Sequence, residues 1–201
     1  RELQGTPCIE FEQDPAAKKE IACTRSFGQT VTQLRDLQEA ITDFAGRAAE
    51  KLRRQNSHAG QVLSFIRTSP FRLQDQQYSR SVVVPLRRPS ADSQAIVQAA
   101  LTGLQAIYRP GYRYAKAGVM LMDLSTADRV QKELPLDAEE NLSDRSHLMQ
   151  VLDGVNRRYG RGTVQLGSAG LGGNERPWVM RQERRTPGYT TEWDGLAVVR
   201  A

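Results

Sequence analysis

Two consecutive strand–helix–strand patterns between residues 18 and 124 constrain the fold of this chain more than any other feature of its sequence. Partly alternating apolar runs predict strands, and apolar residues recurring on one helical face predict amphipathic helices. A strand, helix and strand in this order, repeated once, favour a four-stranded sheet with two helices on one face. The predicted elements are Lys18–Phe27, Leu34–Gln55 and Gln61–Pro70, then Arg80–Leu86, Asp92–Tyr108 and Arg113–Asp123.

The predicted fold class is therefore α+β, a βαββαβ four-stranded sheet with two helices on one face and its other face open. Thr32 is the predicted N-cap residue of the first helix, and Asp92 supplies a start signal for the second. Pro85 has no amide hydrogen to donate, so either its strand is expected at an edge of the sheet or its donor position is expected to point outward. Gly118 in the last strand is expected to let another backbone approach closely.

Composition divides the rest of the chain into three further segments. Residues 1–17 are predicted to be a linker with a short strand at Cys8–Glu12, and residues 125–142 an acidic linker. Residues 143–201 are predicted to form a small α/β C-terminal domain. Its predicted elements are a helix at Asp144–Tyr159 and strands at Thr163–Leu166, Trp178–Gln182 and Leu196–Arg200.

Positive charge is concentrated in the double pattern. Residues 18–124 contain 16 Lys and Arg and 8 Asp and Glu, a net charge of +8, whereas the whole chain carries +5. This distribution favours an anionic partner, with an ordinary solvated basic surface as the alternative. Two similar clusters end the first two predicted strands, and their cations and hydroxyls suit phosphate oxygens. These clusters are Thr24-Arg25-Ser26 and Arg67-Thr68-Ser69.

Catalytic and metal-binding patterns are not evident in the sequence. The two cysteines and two histidines have no zinc spacing, and Asp123 stands apart from the carboxylates that a two-metal site requires. We therefore expect this chain to bind and not to catalyse, without a metal or cofactor of its own. Cys8 and Cys23 are predicted to be free thiols of a cytoplasmic protein. No apolar run approaches the roughly 20 residues that span a bilayer.

The chain begins without an initiator Met or a signal peptide, which indicates a piece of a longer protein. Six blocks spread over nearly all of its length carry a family resemblance. They are Cys23–Gly28, Ala45–Arg53, Phe65–Phe71, Tyr112–Leu121, Gly160–Thr163 and Pro187–Thr191. These blocks resemble the C-terminal part of the UmuC-type Y-family DNA polymerases.

The resemblance implies that residues 1–17 lead in from a thumb region and that residues 18–124 form the little-finger domain. Residues 143–201 are then the small C-terminal domain of the UmuC branch. It also implies that the catalytic carboxylates and their Mg²⁺ belong to an upstream part of the full polymerase. The implied role is DNA binding in error-prone translesion synthesis, the SOS mutagenesis that follows DNA damage.

In that family the sheet of the little finger lies in the DNA major groove and contacts backbone phosphates, which position a duplex without reading its sequence. The resemblance, with the two clusters above, implies DNA contacts at Arg25, Ser26, Arg67, Thr68, Ser69, Arg113 and Lys116. We expect Arg25, Arg67 and Lys116 to lie together on the helix-free face of the sheet.

A short motif in the acidic linker resembles the peptide by which the family docks on the sliding clamp. Gln131, Leu134 and Leu136 match its spacing, but Asp137 stands where an aromatic residue is usual. A featureless linker is the alternative for this segment. For the chain, the alternative function is a protein-interaction scaffold that contacts the clamp, a UmuD′ dimer or a RecA filament. A single-stranded RNA module is disfavoured because the strands lack paired exposed aromatic residues.

Overall fold

The structure, a computed structural model, describes residues 1–9, 16–127, 145–170, 176–180, 186, 188 and 191. Every predicted element of residues 18–124 is present, with boundaries within four residues of those expected. One-turn 3-10 helices lie at Glu2–Gln4 and Gly167–Ala169. The longer elements are β1 (Ile21–Val31), α1 (Leu34–Arg54), β2 (Ser57–Thr68), β3 (Ser79–Ser90), α2 (Ser93–Ile107), β4 (Tyr114–Thr126) and α3 (Ser146–Tyr159).

The four strands form one sheet in the order β1-β4-β2-β3, and every neighbouring pair is antiparallel. The last strand therefore lies between the first and second, so each strand–helix–strand unit has another strand inserted between its two strands. This arrangement confirms the predicted α+β fold class. It also leaves β1 and β3 at the two edges, which confirms the edge position expected from Pro85.

Helices α1 and α2 cover one face of the sheet, and the core lies between them and the strands. In α1, Leu37, Ile41 and Phe44 are fully buried at helical spacing. The Asp92 carboxylate accepts a 2.8 Å hydrogen bond from the amide of Gln94, which confirms Asp92 as the cap of α2. The predicted cap at Thr32 is wrong: Gln33 occupies that position, and no side chain caps α1.

Helix α3 packs against the ends of α1 and α2. Arg53 of α1 and Asp153 of α3 form a two-pronged ion pair, with both nitrogen–oxygen distances 2.7 Å. Met149 is the buried residue of α3, and its Sδ lies 3.5 Å from the amide nitrogen of Ser93. The described start of the C-terminal region is thus attached to the helix layer of the main domain.

The segment 176–180 also lies along the main domain. The amides of Gly28 and Gln29 in β1 donate to the carbonyls of Val179 (3.1 Å) and Pro177 (3.2 Å). Trp178 is 2% exposed and meets the Phe44 ring edge-on, with 5.9 Å between the ring centroids. This segment therefore adds Trp178 to the hydrophobic core beside Phe44 of α1.

Helix α3 confirms the helix predicted at Asp144–Tyr159. The strands predicted after it have other outcomes. Thr163–Leu166 is not a strand, because glycines with positive φ at Gly160 (106°) and Gly162 (85°) turn the chain there. The Asn156 side chain forms hydrogen bonds with both the amide and the carbonyl of Val164, at 2.9 Å each. These backbone groups therefore need no partner from a neighbouring strand. Trp178–Met180 is also irregular. The rest of Trp178–Gln182, and all of Leu196–Arg200, lie outside the described residues, as does most of Cys8–Glu12.

None of the helices in the described ranges is long and apolar enough to cross a membrane.

Candidate nucleic-acid interface

The face of the sheet opposite α1 and α2 carries four polar side chains in one line across the strands. Side chains alternate between the two faces of a strand, so the pairing register decides which residues share a face. Ser26 pairs with Lys116, Lys116 with Arg67, and Arg67 with Ser79. We call these four residues the polar row. It crosses three strand spacings, a width of about 14 Å.

The two cations of the polar row are direct neighbours. Arg67 is exposed and Lys116 half-buried, and neither forms an ion pair or hydrogen bond within the described part of the chain. Like charges directly opposite each other destabilise a sheet. An anion bound between Arg67 and Lys116 would relieve this repulsion, so the pair is suited to bind one.

Arg113 lies at the same end of the sheet, immediately before β4. Its Nε donates to the Thr30 hydroxyl at 3.4 Å, and its Nη1 lies 3.5 Å from a carboxylate oxygen of Asp75. Half of the Arg113 side chain remains exposed (52%). Arg113 therefore adds a cation beside the polar row, although Asp75 neutralises part of its charge.

Arg25 does not join these cations, and the expectation that it shares the open face is wrong. It pairs with Ala117, whose side chain is fully buried beneath the helices, and it alternates in phase with buried Ile21. Arg25 therefore leaves β1 on the helix side of the sheet edge and lines a cleft with Arg47 and Lys51. The strand period of two residues places neighbouring Ser26 on one face and Arg25 on the other.

Thr68 and Ser69 also lie away from the polar row. Alternation along β2 turns Thr68 toward the helices, on the face opposite to Arg67, and Thr68 is 4% exposed. Its hydroxyl donates to the Gln77 side chain and accepts from the Tyr78 amide, both at 3.0 Å. Ser69 follows the end of β2, and its carbonyl accepts from Gln77 at 3.2 Å. The Thr68 hydroxyl thus stabilises the β2–β3 connection instead of facing a ligand.

On the open face, the line of paired residues next to the polar row consists of Thr24, Gly118, Phe65 and Ser81. A Cβ added to Gly118 would lie 2.6 Å from the Phe65 ring, so that ring occupies the space above the glycine. The close approach expected at Gly118 is therefore made by a side chain and not by another backbone. The next line of paired residues is apolar throughout, and we call it the apolar row. It consists of Ala22, Met120, Leu63 and Val83.

The sequence interpretation missed Ser79 and the apolar row. The alternation in β2, where Leu63, Phe65 and Arg67 share one face, was the available signal. It did not indicate which face would be covered, because the buried residues Val62, Ser64 and Ile66 alternate equally well.

Other predicted sites can be located only in part. Cys8 and Cys23 are free cysteines. Among the described residues, no cluster of His, Cys, Asp and Glu is positioned to hold a metal ion. The motif of Gln131, Leu134 and Leu136 lies outside the described residues.

Comparison with known proteins gives a family for this sheet. The model of the impB/mucB/samB family C-terminal domain matches residues 18–134. A second model, described only as a domain of unknown function, matches residues 146–199. A solved chimeric Y-family DNA polymerase has a TM-score of 0.43 at 9% identity, over 59% of this chain and 32% of that one. Those values are too low to add to the family assignment.

Curated relatives cover the chain from end to end. Protein UmuC of Salmonella typhimurium is 40% identical over 200 residues, which are 100% of this chain and 46% of that protein. Protein MucB of Escherichia coli is 42% identical over 201 residues, covering 98% and 46%. The chain thus spans about half the length of the curated relatives it matches. Since the family model covers more than half of it, the chain belongs to the impB/mucB/samB family and carries the C-terminal domain of that family.

Proposed function

We propose that this chain binds the backbone of primer-template DNA without sequence preference, as the little finger of an error-prone translesion polymerase in SOS mutagenesis. The observation that carries this proposal is the pair formed by Arg67 and Lys116, two cations side by side on the helix-free face that have no acidic partner among the described residues. Membership in the impB/mucB/samB family supports the polymerase context.

The groups of the polar row match phosphate chemistry. Arg and Lys donate charge-assisted hydrogen bonds to phosphate oxygens, and the hydroxyls of Ser26 and Ser79 add neutral donors at either end. The row is about 14 Å wide, comparable to the roughly 12 Å of the major groove. Such contacts position a duplex and carry no sequence information, as an enzyme that copies damaged templates requires.

The apolar row gives the open face a flat surface about 13 Å along the strands from the cations, beyond the line of Gly118 and Phe65. Val83 is 41% exposed, and Leu63 and Met120 are half-buried, so sugar rings can pack against them. In this proposal the chain holds the duplex, while nucleotide transfer with Mg²⁺ takes place in the remainder of the polymerase.

The test compares two double variants that remove the same charge. Arg67→Ala with Lys116→Ala removes the cations of the polar row, and Arg35→Ala with Arg157→Ala removes two exposed cations from α1 and α3. Binding of a fluorescent primer-template is measured by anisotropy between 50 and 200 mM salt. Each lost phosphate contact lowers the salt slope by about 0.9. The polar-row variant should therefore lose about 2 from the slope and at least tenfold in affinity on any sequence. Equal behaviour of the two variants would refute the proposal.

A second candidate function is docking on the sliding clamp, which rests on the spacing of Gln131, Leu134 and Leu136. A clamp pull-down with Gln131→Ala and Leu134→Ala tests it, and retention equal to that of the unchanged chain would exclude this motif. Contacts with a UmuD′ dimer or a RecA filament are proposals of the same class, which the same assay addresses with those proteins as bait.

A further inference from the structure

A second cationic surface lies around the edge of β1, on the side opposite the polar row. It is a cleft of about 350 Å³ between β1, α1 and the turn that follows α3. We call it the edge cleft. The residues that give it its charge are Arg25, Arg47, Lys51, Arg54 and Arg161, with Glu50 as the acidic residue among them.

Not all of this charge is balanced within the protein. Arg47 pairs with Asp43 at 3.0 Å, and Arg54 pairs with Glu50 at 2.5 Å. Arg25 and Arg161 make no hydrogen bond or ion pair with any residue in the ranges that the structure describes. The edge cleft therefore holds two uncompensated arginines that come from opposite ends of the sequence.

Several of these cations lie near the β1 wall of the edge cleft. Lys51 Nζ lies 3.4 Å from the carbonyl oxygen of Ala22 in the edge strand. At Cys23, burial raises the pKa of the thiol, while the charges of Lys51, Arg47 and Arg25 act in the opposite direction. Three cationic side chains thus lie within electrostatic range of the same wall of the cleft.

The edge cleft and the polar row adjoin at β1, on opposite sides of that strand. Ser26 belongs to the polar row, and the adjacent Arg25 faces the cleft, with Cα atoms about 3.8 Å apart. Among the described contacts, the segment 176–180 covers β1 at Gly28 and Gln29 and leaves the stretch 22–26 uncovered. A polyanion leaving the sheet at Ser26 meets Arg25 next.

We infer that the edge cleft binds backbone phosphates of the DNA strand that leaves the sheet at β1, with Arg161 as a contact from the C-terminal region. This inference rests on the proposed function. By this inference, residues 146–199 contact DNA directly. The family model that matches them is described only as a domain of unknown function. An acidic protein segment would also satisfy the cations, but the continuity with the polar row favours DNA.

The test uses the full chain, a fluorescent primer-template and three double variants. Arg25→Ala with Arg161→Ala removes two arginines whose side chains have no hydrogen-bond or ion-pair partner among the described residues. Arg157→Ala with Arg158→Ala removes equal charge from α3 outside the cleft. The cleft variant should lower the salt slope by about 2 and the affinity at least tenfold. Combining it with the polar-row variant should lower the affinity further than either variant alone.

Each outcome has a distinct meaning. If the cleft variant matches the α3 control while the polar-row variant weakens binding, the inference is overturned and the proposed function stands. If neither variant weakens binding, both are overturned. Competition by polyglutamate tests the alternative of an acidic protein segment. If polyglutamate displaces the primer-template as well as unlabelled DNA does, and the cleft variant loses this effect, the edge cleft is assigned to an acidic protein segment.

Discussion

Replacing Asp153 by alanine should release α3 from the main domain. The Asp153 carboxylate accepts two 2.7 Å hydrogen bonds from Arg53, and the two side chains are only 15% and 12% exposed. The other described contacts of the helix are at its start, where Met149 is buried and Arg145 contacts Gln94 and Asp92, whereas Leu148 (55%) and Val151 (49%) are exposed. The ion pair is therefore expected to supply much of the free energy that holds α3 in place.

The magnitude follows from the burial of the pair. Removing one partner of a fully buried ion pair costs about 3–5 kcal/mol, because the other charge remains unpaired. Here water reaches part of the guanidinium, and Arg53 keeps its bonds to the Ala91 carbonyl (2.8 Å) and the Ser93 hydroxyl (2.9 Å). We therefore expect about 2–3 kcal/mol, a factor of roughly 30 to 150 in the opening equilibrium of α3.

Hydrogen exchange followed by mass spectrometry measures this opening directly. A detached 14-residue helix is marginal in water, so its amides should exchange about 30 to 150 times faster, while those of α1 and β2 remain unchanged. The control is Glu50→Ala, which breaks the more exposed pair with Arg54 (58% and 22% exposed) and should cost below about 0.5 kcal/mol. Unchanged exchange of α3 in the Asp153 variant would refute the reasoning.

Two further predictions concern the main domain. Burial raises the pKa of Tyr114, so its neutral hydroxyl stabilises the fold below the unfolded pKa of about 10, and this contribution is lost as pH rises through the folded pKa. Urea unfolding between pH 9 and 11 should therefore show a smaller alkaline loss of stability in Tyr114→Phe than in the unchanged chain; equal losses would contradict this. Gly118→Ala should destabilise by about 1–3 kcal/mol, because its Cβ would lie 2.5 Å from Thr24 Cγ2 and 2.6 Å from the Phe65 ring. Phe65→Leu in the same chain should recover part of that loss in thermal unfolding, and no recovery would exclude the Phe65 clash as the cause.

The candidate site could be predicted in its composition but not in its geometry. Arg67 and Lys116 were expected on the open face, and the register makes them direct neighbours there. Arg25 and Thr68 were expected beside them and face the helix side instead. A strand reverses the direction of its side chains at every residue, so neighbouring residues of a cluster face opposite sides of the sheet. The residue types of a cluster therefore do not reveal which of its members can share a ligand.

The sequence by itself determined the elements of residues 18–124, because helical and strand periodicity are local properties that each segment carries on its own. The order of the strands, the shift between Arg67 and Thr68, and the ring of Phe65 over Gly118 were decided only by tertiary structure. So was the packing of Trp178 on Phe44, which joins residues far apart in the chain. These features depend on pairing and packing free energies between distant segments, and neither segment encodes them alone.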